Sequence, residues 1–471
     1  MNIAVILRQD LRLHDHPALH QAVQDGKIVP IYVLENGIGS ASKYWTHQNL
    51  VSLQRSFLNM GGNLYVSKFS LPETVSRLQK EVEIDAIYFH RSYHPEQYLR
   101  DEELASNLTA TGTIVQTFEG TMLMPPWDSV KENGQPYKVF SAFYKQFRLK
   151  SIPHTIPRVK NAQFMTIPKS ITCLSTDIDT LQLVGKIESE NRIDATWIAG
   201  EEAAIDRIQT FIDEDIAAYK TKRDFPSVHG TSRISPYLAI GALSIRSVYH
   251  YALKMAPETS ESFIRQLIWR EFAYQLIVHY PKLVTKPLNQ NFENFPWQNN
   301  QDHFLKWCNG QTGIPLIDAG IREMLKTGYM HNRVRMNVAS YLTKHLLINF
   351  TKGMDFFSDK LIDADIATNT FGWQWASGTG ADAAPYFRIF NPYLQNEKFD
   401  GNADYIRKWV PEVSNLPIPY IFQPELAPEE ELKRAGIVLG KTYPQPIVTH
   451  KSGRARALLA YNEIKKRDES L

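Results

Sequence analysis

The sequence predicts an N-terminal doubly wound parallel α/β domain followed by an all-α domain. Three observations predict it. Short β-rich runs alternate with helical runs over the first 125 residues, the pattern then loses its period across a proline-punctuated stretch, and from Glu201 onward apolar residues recur at helical spacing. The β-rich runs are Ile3 to Leu7, Ile28 to Leu34, Leu64 to Val66, Ala86 to Phe89 and Ile114 to Phe118; Pro17 to Val23, Thr46 to Asn59 and Pro72 to Glu81 read as helices between them. Strands joined through helices pair in parallel, and such a sheet offers a ligand crevice at the carboxyl ends of its strands. No G-x-G-x-x-G opens a helix, so a dinucleotide site of the usual kind has no support.

Pro125, Pro126, Pro136, Pro153, Pro157 and Pro168 interrupt the next stretch, which reads as a connector over the surface. The expected divisions are 1–125, 126–195 and 196–471. In the last part Glu201, Ala204, Ile205, Ile208, Phe211, Ile212, Asp215 and Ile216 keep an i, i+3, i+4 spacing, as do Leu316 to Leu325 and Asn332 to Leu347. The chain shows no internal repeat, and Lys465, Lys466 and Arg467 form a short basic tail.

Composition narrows the class. A chain of 471 residues with 43% hydrophobic and 22% charged residues buries a sizeable core without staples. Cys173 and Cys308 are the only cysteines, which excludes a four-cysteine zinc site, an all-cysteine iron–sulfur cluster and a disulfide framework, and points to a reducing cytoplasm. The apolar run from Ile3 to Leu7 is too brief for a signal peptide, and no window approaches the roughly 20 apolar residues of a membrane span. A net charge of +2 neither implies nor excludes nucleic acid.

Polar clusters in the helical half are poorly explained by packing. Gly230-Thr231-Ser232-Arg233-Ile234-Ser235 precedes an expected helix from Pro236 to Leu243 and offers hydroxyls and backbone N–H groups to phosphate oxygens, or serves as an ordinary N-cap. Gln266 and Trp269 share a helical face, with Arg270 and Glu271 beside them, and make a platform for a flat heterocycle unless Trp269 is core. In His331-Asn332-Arg333-Val334-Arg335-Met336, Asn332 and Met336 share a face while the arginines point elsewhere, toward phosphates or solvent. Asp363 and Asp365 lie in apolar surroundings and need cations, with Arg335 the candidate partner; a metal pair lacks a nearby histidine or third carboxylate. Finally, the segment from Asn369 to Phe390 sets Trp373 and Trp375 about Gln374, with Gly372, Gly378 and Gly380 to admit a ligand closely.

Taken in order, these regions resemble the photolyase and cryptochrome family. The match runs from Leu7-Arg8-Gln9-Asp10-Leu11-Arg12-Leu13 through Gly230-Thr231-Ser232-Arg233 and Trp269-Arg270-Glu271-Phe272 to Ala383-Ala384-Pro385-Tyr386-Phe387-Arg388-Ile389-Phe390-Asn391-Pro392 and Tyr443-Pro444-Gln445-Pro446-Ile447-Val448, nearly the whole chain. The resemblance implies an antenna domain at the N-terminus and a helical domain that holds a bent FAD. By that resemblance Tyr219, Thr231, Ser232, Arg233, Ile234, Ser235, Arg270, Asn332, Arg335, Asp363, Asp365 and Asn369 hold the cofactor. Asn369 is expected to face flavin N5, where an amide can accept a hydrogen; plant-type cryptochromes place an aspartate there.

The implied activity is light-driven repair of cyclobutane pyrimidine dimers by electron donation from reduced flavin, with a blue-light receptor of cryptochrome type as the alternative. Photolyases extrude the damaged dinucleotide from the duplex. The resemblance makes Trp269 and Trp375 the pocket walls, Met336 its floor, and Arg223, Arg333, Arg388 and Gln395 further DNA contacts. The enzymes for (6–4) lesions carry two histidines where Asn332 and Met336 stand, which favours the cyclobutane dimer. Receptors usually append a long tail, whereas only residues 449–471 follow Val448. Two departures stand out. Gln266 replaces the usual glutamate and can donate to a dimer carbonyl but supplies no proton. The family's tryptophan relay falls on Trp373, Phe350 and Trp297, and phenylalanine is hard to oxidise, so photoreduction is expected to be slow or rerouted. An antenna pigment, methenyltetrahydrofolate or a deazaflavin, is left open: Glu96 and Gln97 occupy the places of the folate-binding Asn-Glu pair, so a folate site of that type has no support, and Trp45 and His47 either stack on a pterin or deazaflavin or belong to the core. Expected partners are damaged DNA and no membrane, with the chain acting as a monomer.

Overall fold

The computed structural model describes residues 1–185, 193–383, 385–386 and 388–469, with backbone alone for 194 and 466–469. Residues 186–192 of the expected connector, Ala384 and Phe387 of the family motif, and the Lys466 and Arg467 side chains lie outside the described residues. Five parallel strands form one sheet in the order β3-β2-β1-β4-β5: β1 (Asn2–Leu7), β2 (Lys27–Val33), β3 (Tyr65–Ser67), β4 (Ala86–His90) and β5 (Ile114–Phe118). Ile3, Ala4, Val5, Ile6 and Leu7 are all buried, as expected of a central strand covered on both faces. Strand order reverses between β1 and β4, which opens a crevice at their carboxyl ends.

Four helices cover the sheet: α1 (Pro17–Asp25), α2 (Ser40–Asn59), α3 (Leu71–Glu81) and α4 (Pro95–Ala110). The sequence pattern starts α2 late, at Thr46, and omits α4. Only Asp101, Leu104 and Leu108 of α4 are buried, too thin an apolar stripe to stand out. Inside the expected connector lies α5 (Phe140–Phe147), whose Phe140, Phe143 and Phe147 are buried, so this part of the connector is packed structure rather than a surface wrap. The prolines around it masked its i, i+3, i+7 spacing.

The remainder is mostly helical. The run expected from Asn332 to Leu347 is an α-helix over Asn332–Ser340 and a π-helical turn over Tyr341–His345; that from Glu201 likewise passes into a π-turn at Phe211–Asp215. The helix expected from Pro236 to Leu243 spans only Ser235–Ala239. It stops because the chain turns at Gly241, where φ is +67° and a Cβ would lie 2.1 Å from the Gln9 carbonyl oxygen. That close approach docks the two halves. The buried Arg12 guanidinium crosses the seam, donating to the carbonyls of Asp15 (2.9 Å), Gly120 (2.6 Å) and Gly241 (3.0 Å). Among the described residues no helix is long and apolar enough to cross a membrane.

Candidate active site

The helix Ile366–Ser377 organises the site. Asp365 caps it by accepting from the Thr368 amide at 2.8 Å, and also accepts from the Tyr274 hydroxyl. Gly378, at φ +83°, ends it in the left-handed region. Asn369 and Trp373 are four residues apart and share one face; Phe371 and Trp375 share another. On the first face, Asn369 Nδ2 donates to the Met354 carbonyl (3.0 Å) and to Ser358 Oγ (2.9 Å) on the helix Phe350–Lys360. Both amide hydrogens are thus used, and among the described residues the side-chain oxygen has no partner, so it is left to accept. Trp373 is buried edge-on to Phe357 (5.0 Å) and Trp307 (6.1 Å), and it approaches Gly353 so closely that a Cβ there would lie 2.1 Å from the indole. On the second face, Phe371 lies 5.5 Å from Trp269, and half-exposed Trp375 lies 6.4 Å from Phe390.

The helix Glu261–His279 supplies the opposite wall. Trp269 is half-buried, stacked on Phe140 with ring centroids 3.4 Å apart and planes 7° from parallel. Phe140 was invisible to the sequence reading because α5 was. Gln266 Oε1 accepts from Arg223 at 3.1 Å, while its Nε2 donates to the Ser262 carbonyl at 3.3 Å and keeps a second hydrogen. Arg223 lies over the Tyr219 ring, and Asp224, also missed, pairs with Arg333 at 2.7 Å. Arg270 donates to the Thr121 carbonyl at 3.0 Å and lies 4.0 Å from Asp365. Burial pushes the neighbouring Glu271 carboxyl up to about 7, against the pull of Arg270; its Oε2 accepts from the Leu123 amide.

A third group gathers at the loop 230–235. Arg335 pairs with buried Asp363 at 2.8 Å, the partner expected from sequence, and Asp363 also accepts from Ser235 Oγ at 2.7 Å. Asp363 and Asp365 are satisfied separately, by a cation and by a helix end, which removes the metal-pair reading. Arg233 takes φ +52° and sits over Trp197 and Tyr329 at 5.0 and 4.9 Å. The Thr231 and Ser232 hydroxyls take no protein partner among the described residues. A positively charged loop with free hydroxyls, a braced Arg–Asp pair and an amide oxygen left to accept fit a diphosphate-bearing flavin. Tyr219 is buried between Phe211 and Phe263, and Ile234 is buried.

Of the remaining candidates, Asn332 is exposed with Nδ2 4.0 Å from the Met336 sulfur. Arg388 is exposed, and Gln395 is half-buried with Oε1 unpartnered among the described residues. Among the described residues the ring contacts of Trp297 lead to Phe295, those of Trp373 to Trp307 and Phe357, and none joins Phe350 to either. No periodicity in the sequence marked Trp307.

The crevice at the strand ends opens into a cavity of about 320 Å³, lined on one side by Tyr32, Glu35, His94 and Gln97 and on the other by Arg270 and Asn369. Trp45 does not line it. Its Nε1 donates to the Pro236 carbonyl at 3.0 Å and its ring packs on Trp197 and Tyr237, so the pigment-stacking alternative gives way to the core one. His47 bonds Asp179 at 2.9 Å. Glu96 is exposed, and Gln97 accepts from Ser92 Oγ. Nearby, Asp10, His16 and His90 have the spacing of a metal ligand set. Their tautomers argue otherwise. His16 Nδ1 accepts from the Leu19 amide and His90 Nε2 faces the Ala18 amide, which leaves the other ring nitrogens to carry the ring hydrogen near the Asp10 carboxylate, 3.3 and 2.9 Å away.

Comparison with known proteins agrees with this geometry. The family described as DNA photolyase matches residues 3–160, and the FAD binding domain of DNA photolyase matches residues 263–463. A deoxyribodipyrimidine photo-lyase of Agrobacterium fabrum is 39% identical over 473 residues, 98% of each chain. The crystal structure of a bacterial class III photolyase from Agrobacterium tumefaciens aligns with a TM-score of 0.93 at 39% identity, over 99% of this chain and 98% of that one. Cryptochrome-1 of Arabidopsis thaliana is 34% identical over 486 residues, covering 98% of this chain and 70% of its own length. A two-domain flavoprotein with an α/β sheet and a helical FAD domain is thereby defined. The chain belongs to the DNA photolyase and cryptochrome family.

Proposed function

We propose that this protein repairs cyclobutane pyrimidine dimers in DNA, using light and reduced FAD. The observation that carries the reading is the division of the helix Ile366–Ser377: one face presents the Asn369 oxygen and the buried Trp373, the other presents Phe371, 5.5 Å from Trp269, and half-exposed Trp375 one turn further on. Bound FAD supplies the electron that opens the dimer and recovers it afterwards. The chain's own residues bind and orient. Arg335, braced by Asp363, and the hydroxyls of Thr231 and Ser232 hold the cofactor's charge, and the Asn369 oxygen accepts a hydrogen at N5. Trp269 and Trp375 stack the extruded bases, at roughly 1–3 kcal/mol per base, which offsets the few kcal/mol of unstacking. The remaining hydrogen of Gln266 Nε2 donates to a dimer carbonyl, its amide held the right way round by Arg223. Arg223, Arg333, Arg388 and Gln395 contact the DNA around the lesion. Trp373 and Trp307, in ring contact at 6.1 Å, would pass electrons toward a bound flavin in place of Phe350.

The sheet-side end of the cavity at the strand ends, at Tyr32, Glu35, His94 and Gln97, is the place for a second chromophore, and the end at Arg270 and Asn369 belongs to the flavin. The chain acts as a monomer in a reducing cytoplasm, in keeping with free Cys173 and Cys308. Incubating the reduced flavoprotein with an oligonucleotide carrying one thymine dimer under blue light should restore thymine absorbance. Failure to do so with flavin bound would move the assignment to a blue-light receptor of cryptochrome type.

A further inference from the structure

One cation beside the lesion wall is held in place without an acidic partner. Arg265 lies four residues before Trp269, on the same helical face and about 6 Å along the axis. Its guanidinium covers the rings of Phe140 at 4.7 Å and Tyr144 at 4.6 Å, so Trp269, Phe140 and Arg265 form one connected stack. The nearby acids are engaged elsewhere or lie too far away. Glu261 binds the Tyr144 hydroxyl and Arg148 at 3.1 Å, while Asp382 feels the charge of Arg265 but is not within ion-pair distance. Among the described residues none of the guanidinium N–H groups meets an oxygen acceptor. A half-buried arginine fixed by two aromatic faces with its donors unspent is pre-organised for a bidentate oxyanion.

We propose that Arg265 binds a backbone phosphate of the nucleotide flanking the extruded dimer. This rests on the repair reading above. Flavin-loaded protein would be titrated in the dark against a duplex with a single thymine dimer, following fluorescence anisotropy over a series of salt concentrations. Arg265→Gln should weaken binding by about tenfold at low salt and make the plot of log affinity against log salt shallower by about 0.9, the change expected for one lost phosphate contact. Arg265→Lys should keep the wild-type slope. Flavin content and the repair yield per photon of the saturated complex should stay unchanged in both. Unchanged affinity in Arg265→Gln, or weakened affinity with the wild-type slope, overturns the phosphate role while leaving the repair reading intact. Absence of lesion binding by the wild type overturns the repair reading and this proposal with it.

Discussion

The two faces of the helix Ile366–Ser377 differ more than its composition suggests. Trp373 and Trp375 are two residues apart and therefore rotated by about 200°. One is only 2% exposed and packed among Trp307, Phe357 and Gly353; the other is half-exposed, on the face that meets Trp269 through Phe371. Under the proposed function the same side chain would serve once where electrons enter and once where bases stack. Burial and neighbours, rather than residue type, assign the task.

Changing either tryptophan should break the division cleanly. Trp373→Phe should abolish light-driven reduction of oxidised flavin, followed by its visible spectrum, while dark affinity for dimer DNA persists. Trp375→Ala should do the reverse, costing roughly 1–3 kcal/mol of lesion affinity in a binding titration and leaving photoreduction alone. Loss of both properties in one variant would mean that the faces are not separate. Trp307→Phe sharpens the first face: photoreduction should slow markedly, yet repair begun from chemically reduced protein should proceed at the wild-type rate.

The smallest effect concerns the support of the Arg388 segment. Lys344 is buried with no carboxylate in ion-pair distance among the described residues; its amine donates to the Arg388 carbonyl at 3.1 Å and lies over the Tyr386 ring. Burial pushes the amine down to about 7 from its ordinary 10.5. Between those values the unfolded chain binds the extra proton, so stability rises with pH across the window. Lys344→Met should therefore raise the melting temperature most near the lower end, and its advantage should shrink toward the upper end. A constant difference in calorimetry would contradict the buried amine.

Much of this was legible in the sequence, for identifiable reasons. Strands buried on both faces read as continuous apolar runs, and the Arg335–Asp363 pair followed from the cost of an unpaired buried carboxylate. α4 escaped because it buries little, and α5 because prolines around it concealed three phenylalanines. The Phe140–Trp269 stack joins positions 129 residues apart, and the Trp307–Trp373 contact joins positions 66 apart. No local period records either distance. Trp45 stayed undecided between pigment and core for a related reason: its place between Trp197 and Tyr237 depends on the helical half docking onto α2.

The seam at Arg12 has a practical consequence for chimaeras. A guanidinium bonded to carbonyls from both halves makes the sheet and the helical body one cooperative object. An N-terminal half transplanted from a relative would have to bring a residue able to satisfy the Gly241 carbonyl, and the recipient would have to retain a glycine at that turn. Exchange of the sheet domain in this protein is accordingly a problem of matching backbones before it is one of matching any pigment.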